Sequence, residues 1–351
     1  MVLRRVLMPV WLYLRGLIMF AVTASRPTLL LGQSYPHGVW FYFPVLLFLK
    51  SPPGFVGLLG LAAGTAIAHR SFFGRERGAV VPAERLMHWR ILWVSLIAFG
   101  GVCLLARLNI GLRHFSVPLV LLILLLAPLP ALLGQLATRA PRLAAGLRGL
   151  NVVLALSCWA SAVRAYPYYV PYLSPFSLGR PAYTLVNDSN LDWKQGLPDV
   201  AEFADEHGLS QLAIDTYGFT DPTVVVPGSR LWDCQAPGEQ DAGKWIVVSA
   251  NMLLDGHNCL WLMQYPHETL AGGSMYAVHL PDPIPPAGSA DGPPTPAARR
   301  EFAGMAFDMR SLFLGAIRNP ESMPDVLARL QAAFQAQQPA PAAVASPQTP
   351  P

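Results

Sequence analysis

Four long apolar runs dominate the first half of the chain. They cover residues 42–68, 89–107, 115–134 and 149–165. Because about 20 apolar residues are needed to cross a bilayer core about 30 Å thick, each run predicts a transmembrane helix. The first run contains Lys50 and three prolines, Pro44, Pro52 and Pro53. We therefore expect the first helix to be kinked or to start late.

Residues 6–24 form a further apolar segment with two interpretations. Arg4 and Arg5 before the segment are typical of a signal anchor, whereas Arg15 in its middle is typical of an amphipathic helix at the membrane surface. Both interpretations stay open. Residues 1–37 are assigned to this helix and to an external loop, and residues 38–165 to the transmembrane helices.

After residue 165 the apolar stretches become short and alternate with polar residues. Strands are predicted at 183–186, 212–217, 244–250 and 274–280. A helix is predicted at 198–207, because Pro198 suits a first helical turn and Gly208 suits the position after a helix end. This order of elements predicts a two-layer or three-layer α/β domain over residues 166–281.

The remaining residues change in composition along the chain. Residues 282–298 are rich in Pro, Gly and Ala, which is typical of a linker. Residues 299–336 predict a helical segment, and the Pro/Ala/Gln-rich residues 337–351 predict a disordered tail.

Charge separates the two halves of the chain and orients them. Residues 1–164 contain fifteen Arg and one Lys against only Glu76 and Glu84, a net charge of about +14, while the remainder carries about −10. The Arg-rich segments 69–90 and 135–148 are expected to be cytoplasmic loops. The prediction is a polytopic α-helical membrane protein of the bacterial inner membrane, with a C-terminal extracytoplasmic α/β domain. The basic residues flank apolar runs, so no nucleic-acid partner is expected.

The four cysteines fall into two pairs. Cys103 and Cys158 lie within apolar runs and are expected to be packing residues. Cys234 and Cys259 lie in the domain expected outside the membrane, where an oxidising compartment permits a disulfide. Spacing alone does not decide whether that disulfide forms. No metal site is predicted.

Three motifs follow one another along the chain. The first comprises residues 38–44 (GVWFYFP) and 49–52 (LKSP), and the second is residues 109–114 (NIGLRH). The third comprises residues 166–169 (YPYY) and 186–193 (VNDSNLDW). In order and spacing they resemble the bacterial GT-C membrane glycosyltransferases, which are similar to protein O-mannosyltransferases. The resemblance covers about residues 8–280 and would correspond to the C-terminal half of such an enzyme.

The resemblance implies a polyprenyl-phosphate sugar as donor, and therefore a lipid bilayer and a lipid-linked sugar as partners. The family carries its catalytic acids in the first external loop, which has no counterpart here, so activity is expected to require a separate or missing N-terminal half. The chain also departs from the family at Lys194, where the family has Gly, and at Gly196, where it has Asp. The alternatives are a non-catalytic membrane-anchored module that binds glycan or protein, and a longer enzyme in which Met1 is internal.

The candidate site residues come from the second and third motifs. Arg113 and His114 are candidates for binding a lipid phosphate, because Arg suits bidentate phosphate contact; the alternative is an interfacial Arg beside a helix start. Asn190 and Trp193 are candidate sugar contacts. Asp188 and Asp192 are weak candidates for catalysis. For the whole 188–193 segment a structural turn is the favoured alternative.

Overall fold

The computed structural model describes residues 8, 10–16, 27–73, 83–216, 221–254, 259–295, 324, 325 and 328. Residues 8 and 10–16 are helical and exposed, and the rest of segment 6–24 lies outside the described residues, so its two interpretations stay predictions. Of the segment predicted to be helical at 299–336, residues 324, 325 and 328 are described and are helical. The predicted tail at 337–351 lies outside the described residues.

The structure describes six α-helices between residues 42 and 165, in which residues 74–82 are not described. They are α1 (Tyr42–Lys50), α2 (Pro53–Phe73), α3 (Ala83–Leu105), α4 (Ser116–Leu124), α5 (Leu129–Arg139) and α6 (Pro141–Ala165). Within the described residues, three stretches are long and apolar enough to cross a membrane, namely Met87–Leu105, Leu112–Arg139 and Pro141–Ala165. The bent pair formed by α1 and α2 would be a fourth.

The run at 42–68, expected as one kinked or late-starting helix, is divided in two. Pro52 and Pro53 follow Ser51, and a proline disfavours helical backbone in the residue before it, so α1 ends at Lys50. Pro53 then begins α2, where its missing N–H is not needed. The two helix axes differ in direction by 114°.

Segment 135–148 is not the loop that its arginines suggested. Helix α5 extends to Arg139 and α6 begins at Pro141, so only Ala140 separates them. Pro141 occupies the first turn of α6 and needs no intrahelical partner there. Arg139 and Arg142 therefore stand at the two helix ends, and Arg148 is the eighth residue of α6.

A mixed five-stranded sheet forms the centre of the C-terminal part. Its strands are β3 (Ala213–Asp215), β4 (Arg230–Leu231), β5 (Trp245–Ser249), β6 (His267–Leu270) and β7 (Met275–His279). The strand order is β4-β3-β5-β7-β6. Strands β4 and β5 are parallel to β3, while β7 is antiparallel to both β5 and β6. The predicted strands at 212–217, 244–250 and 274–280 correspond to β3, β5 and β7, although Tyr217 lies outside the described residues.

The two faces of the sheet pack against different helices. On one face, α7 (Leu197–Glu206) places Val200 and Phe203 in a buried cluster with Val247 of β5. The predicted helix at 198–207 is thereby confirmed, and Gly208 follows its end with φ +61°. On the other face, Ile246 and Val248 belong to a second buried cluster, because successive strand residues point to opposite faces.

Helix α1 packs into this second cluster. Its residues Tyr42, Phe43, Leu46 and Leu49 are buried there together with the sheet residues. The first part of the apolar run at 42–68 is therefore part of the core of the C-terminal domain.

A two-stranded hairpin precedes α1, with β1 at Thr28–Leu30 and β2 at Gln33–Tyr35. Leu30 of β1 forms an isolated antiparallel bridge with Val186. The predicted strand at 183–186 is wrong: Ala182–Thr184 forms a 3-10 turn that follows Pro181. Leu185 and Val186 are nevertheless buried, which explains why this stretch has the apolar character of a strand. Residues 282–295 contain neither helix nor strand, as expected for the predicted linker, and the Tyr265 hydroxyl donates to the Asp291 carbonyl within it.

Candidate functional site

The three motifs that carry the family resemblance meet around Asn190. This residue is 2% exposed and ends the 3-10 turn Asp188–Asn190. Its Nδ2 donates to the Tyr42 hydroxyl at 2.9 Å and to the Asn187 carbonyl at 3.1 Å. Its Oδ1 accepts from the Leu112 N–H at 3.2 Å. One amide therefore joins α1, the 109–114 motif and the 186–193 motif.

Lys50 makes a second connection between α1 and the C-terminal domain. Its ammonium donates to the carbonyls of Val170 at 2.6 Å, Tyr172 at 3.0 Å and Asn190 at 2.6 Å. An ammonium has three donors, and these carbonyls accept all of them. Lys50, which interrupts the first apolar run, therefore connects α1 to the C-terminal domain by hydrogen bonds. Its partners lie more than 100 residues away in the sequence, which is why sequence reasoning missed this role.

The 109–114 motif packs closely against the 186–193 motif. The Ser189 hydroxyl donates to the Ile110 carbonyl, and Gly111 lies directly against the same hydroxyl with φ +134°. Glycine alone adopts that backbone conformation without strain and leaves room for this contact. Asn109, 1% exposed, accepts from the Val39 N–H at 2.6 Å through Oδ1, and its carbonyl accepts from the Thr28 hydroxyl. Asn109 and Gly111 are thereby structural positions.

Asp192 is buried and uses both carboxylate oxygens. Oδ1 accepts from the Lys194 N–H at 2.5 Å, and Oδ2 accepts from the Ser249 hydroxyl at 2.6 Å. Burial raises the pKa of the Asp192 carboxyl, while the bonds from Ser249 and Lys194 lower it. With 1% of its surface exposed, Asp192 contacts the domain core rather than a substrate. Asn190 and Asp192, which were candidates for sugar contact and catalysis, are therefore assigned to the structure of the turn.

Asp188 stands at the edge of this packed region. It is 9% exposed, and its Oδ1 accepts from the Ser189 N–H at 2.6 Å. Its φ of 56° lies in the left-handed region, which Asp tolerates better than most residues. Its carbonyl accepts from the Asn251 amide at 3.1 Å. The backbone of Asp188 is a structural element, and its carboxylate is the more accessible of the two candidates.

Arg113 and Trp193 form the exposed part of the site. The Arg113 guanidinium carbon lies 4.5 Å from the centre of the Trp193 indole, a cation–π contact. Arg113 and His114 are both exposed, and Arg113 Nε lies 3.4 Å from His114 Nε2. Trp193 is 49% exposed. The structure thus brings a predicted phosphate ligand and a predicted sugar contact together, with His114 beside them.

Tyr42, Lys50 and Ser189 complete the site but were not predicted as part of it. Their side chains connect α1 and the 109–114 motif to the third motif and its surroundings by hydrogen bonds, and none of the three is more than partly exposed. The lysine was noticed as costly in a membrane, which was the one available signal that it has internal partners.

Cys234 and Cys259 are joined as a disulfide, with their Cα atoms 5.6 Å apart. Both are fully buried, and Asp215 Oδ2 accepts from the Cys234 N–H at 2.9 Å. The Asp215 carboxylate and the two sulfurs lie within 4.8 Å of one another. Disulfide sulfurs are not thiolates, so this cluster offers one carboxylate rather than a set of metal ligands.

Comparisons with protein-family models, with curated proteins and with solved structures gave no match to the chain. The resemblance to the GT-C glycosyltransferases therefore rests on the three sequence motifs alone.

Proposed function

We propose that this chain is a membrane protein related to the GT-C glycosyltransferases and that it binds a polyprenyl-phosphate-linked sugar at the Arg113–Trp193 surface. It corresponds to the C-terminal half of such a transferase, and sugar transfer requires a catalytic acid from a separate or missing N-terminal half. The observation that carries the proposal is the contact between Arg113 and Trp193. Two residues from separate motifs, one suited to phosphate and one suited to sugar, lie side by side.

The chemistry of this pair suits a lipid-linked sugar. A guanidinium binds phosphate oxygens through paired N–H donors, and it keeps these donors at its edge while its face stacks on an aromatic ring. The indole is half exposed and offers apolar ring surface to a sugar. Arg113 and His114 lie in the first turn of a helical stretch, Leu112–Arg139, that is apolar enough to cross a membrane. A lipid phosphate at the end of that stretch would lie at the level of the bilayer surface.

The environment of the acids supports binding rather than unaided catalysis. Both oxygens of Asp192 accept hydrogen bonds inside the core, and Asp188 is 9% exposed. Within the described residues, no carboxylate forms an ion pair with Arg113. A general base needs to lie within hydrogen-bond reach of the acceptor hydroxyl, and Asp188 is the one candidate left among the predicted acids.

The test is a binding titration with the full chain reconstituted in nanodiscs. The probes are polyprenyl-phosphate mannose and polyprenyl phosphate without sugar. Losing one charge-assisted phosphate contact costs about 1.5–3 kcal/mol, so Arg113→Gln is expected to raise both Kd values by about 10–150-fold. Trp193→Ala is expected to weaken binding of the sugar-bearing probe and to spare the bare polyprenyl phosphate.

Arg107→Gln is the matched control, because Arg107 is an exposed arginine in the same connection between α3 and α4. Equal Kd values for wild type, Arg107→Gln and Arg113→Gln would refute the binding proposal. Transfer of mannose to an acceptor by the purified chain alone would refute the requirement for an N-terminal half.

A second candidate function is a non-catalytic membrane-anchored module that binds glycan or protein. The observation that favours it is the use of Asn190 and Asp192 in packing, which removes two polar groups from the surface. This function predicts that a free oligosaccharide binds as tightly as the lipid-linked sugar and that Arg113→Gln does not change its Kd. The two functions therefore give opposite results in the same titration.

A further inference from the structure

A cavity of about 770 Å³ lies between the C-terminal turns of α6 and residues 168–182. It shares none of its lining residues with the Arg113–Trp193 surface. Its volume is in the range of sites that hold small molecules, about 300–1,000 Å³. The cavity is therefore large enough to hold a small molecule or a lipid headgroup.

One wall of the cavity is a single face of α6. The lining residues Ser157, Ala160, Ser161 and Arg164 are spaced three and four apart, so they lie above one another on the helix. Elsewhere α6 exposes large apolar side chains, including Leu156, Trp159 and Val163. A face of small and polar residues that ends in an arginine, on a helix whose C-terminal half is otherwise apolar, suits contact with an amphiphile.

Two arginines supply positive charge to the cavity. Arg164 stands in the last turn of α6, and Arg180, which follows the turn Pro175–Ser177, also lines the cavity. Both are exposed, and within the part of the chain that the structure describes neither forms an ion pair with a carboxylate. Tyr168 also lines the cavity, and its hydroxyl donates to Asp199. That bond is the main cause that raises the pKa of Tyr168 to about 12, so the phenol stays neutral.

The Tyr172 hydroxyl is an independent sign of a missing partner. Tyr172 lines the cavity, and its hydroxyl oxygen is buried with no hydrogen-bond partner among the described residues. Buried polar groups almost always have a partner, so this hydroxyl is a position where the described residues leave a hydrogen bond unmade next to a residue that lines the cavity.

Solvent-exposed apolar side chains lie at the rim of the cavity. Leu178 is 87% exposed and adopts a left-handed backbone with φ 55°, which is strained for a residue with a side chain. Phe176 is 47% exposed and packs edge-on against Phe48 of α1. Exposed apolar residues on a short loop beside the end of a membrane-type helix suit the interfacial layer of a bilayer.

We propose that this cavity binds the headgroup of an anionic phospholipid, with Arg164 and Arg180 contacting its phosphate. The acyl chains lie along the apolar surface of α6, which extends from the cavity into the membrane. The small side chains of Ala160 and Ser161 leave room for the glycerol region. The phosphate chemistry is shared with a free phosphate ion, but the apolar rim and the helix beside it favour a lipid.

The experiment measures lipid binding to the full chain in detergent by native mass spectrometry. The probes are phosphatidylglycerol, phosphatidylcholine and inorganic phosphate. Each basic residue near an anionic lipid is worth about a fivefold change in affinity, so the double variant Arg164→Gln/Arg180→Gln is expected to raise the Kd for phosphatidylglycerol by about 30-fold. Arg142→Gln/Arg148→Gln, which removes the same charge at the other end of α6, is the matched control and is expected to leave the Kd within about twofold of wild type.

Three results would overturn the proposal. One is an equal loss of phosphatidylglycerol binding in both double variants, which would indicate a general charge effect. Another is an unchanged Kd in Arg164→Gln/Arg180→Gln, and the third is complete competition by inorganic phosphate, which would indicate a free-anion site. Arg113→Gln leaves this cavity intact, so normal phosphatidylglycerol binding by that variant separates this proposal from the proposed function. Unchanged melting temperatures without lipid would show that the variants fold.

Discussion

Replacement of Asn190 by alanine tests whether this amide joins the three motifs. The change removes hydrogen bonds to the Tyr42 hydroxyl, the Asn187 carbonyl and the Leu112 N–H. Tyr42 is fully buried and Asn187 is 5% exposed, so water does not readily replace the lost amide. Each buried group left unsatisfied costs about 1–3 kcal/mol. Since Leu112 is partly exposed, we expect a total loss of about 2–5 kcal/mol in the free energy of unfolding.

The assay is thermal unfolding of the full chain in detergent, followed by circular dichroism. With about 2–4 °C per kcal/mol for a domain of moderate size, Asn190→Ala is expected to lower Tm by about 5–15 °C. Gln33→Ala is the matched control, because Gln33 is an exposed amide that accepts a hydrogen bond from the Tyr35 hydroxyl. Its effect is expected to stay within about 0.5 kcal/mol.

A double-mutant cycle with Tyr42→Phe isolates the contact between α1 and the turn. If the amide and the phenol bond each other, the double variant should be less destabilised than the sum of the single variants by about 1 kcal/mol. Strict additivity would show that Asn190 stabilises the fold without joining α1 to it. A decrease in Tm no larger than that of Gln33→Ala would refute the reasoning altogether.

Three further predictions concern the same domain. Lys194 has φ 69°, so Lys194→Gly should raise the free energy of unfolding by about 1 kcal/mol in chemical denaturation, and no gain would show that the position is unstrained. Burial raises the pKa of Asp192 in the folded state, so the folded chain binds more protons than the unfolded chain at pH values just above about 4. The free energy of unfolding therefore falls as the pH rises from about 4. Asp192→Asn should reduce this dependence on pH in a series of melting curves. Because Cys234 and Cys259 close a loop of 25 residues, Cys234→Ala/Cys259→Ala should cost about 3 kcal/mol, whereas an unchanged unfolding midpoint would contradict a stabilising disulfide.

Elements with local signals were predictable from the sequence. Helix α7 has Pro198 in its first turn, apolar residues at helical spacing and Gly208 after its end, and each signal acts within a few residues. Strand β6 was missed because its residues His267–Leu270 are mostly exposed and show no apolar alternation. The predicted strand at 183–186 failed because burial of Leu185 and Val186 gave the right composition for the wrong backbone.

In the candidate site, too, residue types could be predicted from local motifs, but contacts between distant residues could not. Arg113 and Trp193 were identified as chemistry-bearing residues from their motifs, but their contact depends on a fold that brings residues 80 positions apart together. The structural roles of Asn190 and Asp192 depend on partners at Tyr42 and Ser249, which no local pattern specifies. The departure from the family at Lys194 falls on a left-handed backbone position, where glycine is the unstrained choice.

The position of α1 in the core has a consequence for how the protein is made. Leu46 of α1 and Ile246 of β5 belong to one buried cluster although about 200 residues separate them in the chain. At a synthesis rate of about 5–20 residues per second, α1 emerges some 10–40 s before its sheet exists. During that interval this nine-residue apolar helix lacks the part of its buried surface that the sheet supplies. The exposed apolar surface of nascent α1 therefore has to be covered by the membrane surface or by a chaperone until the last strands are synthesised.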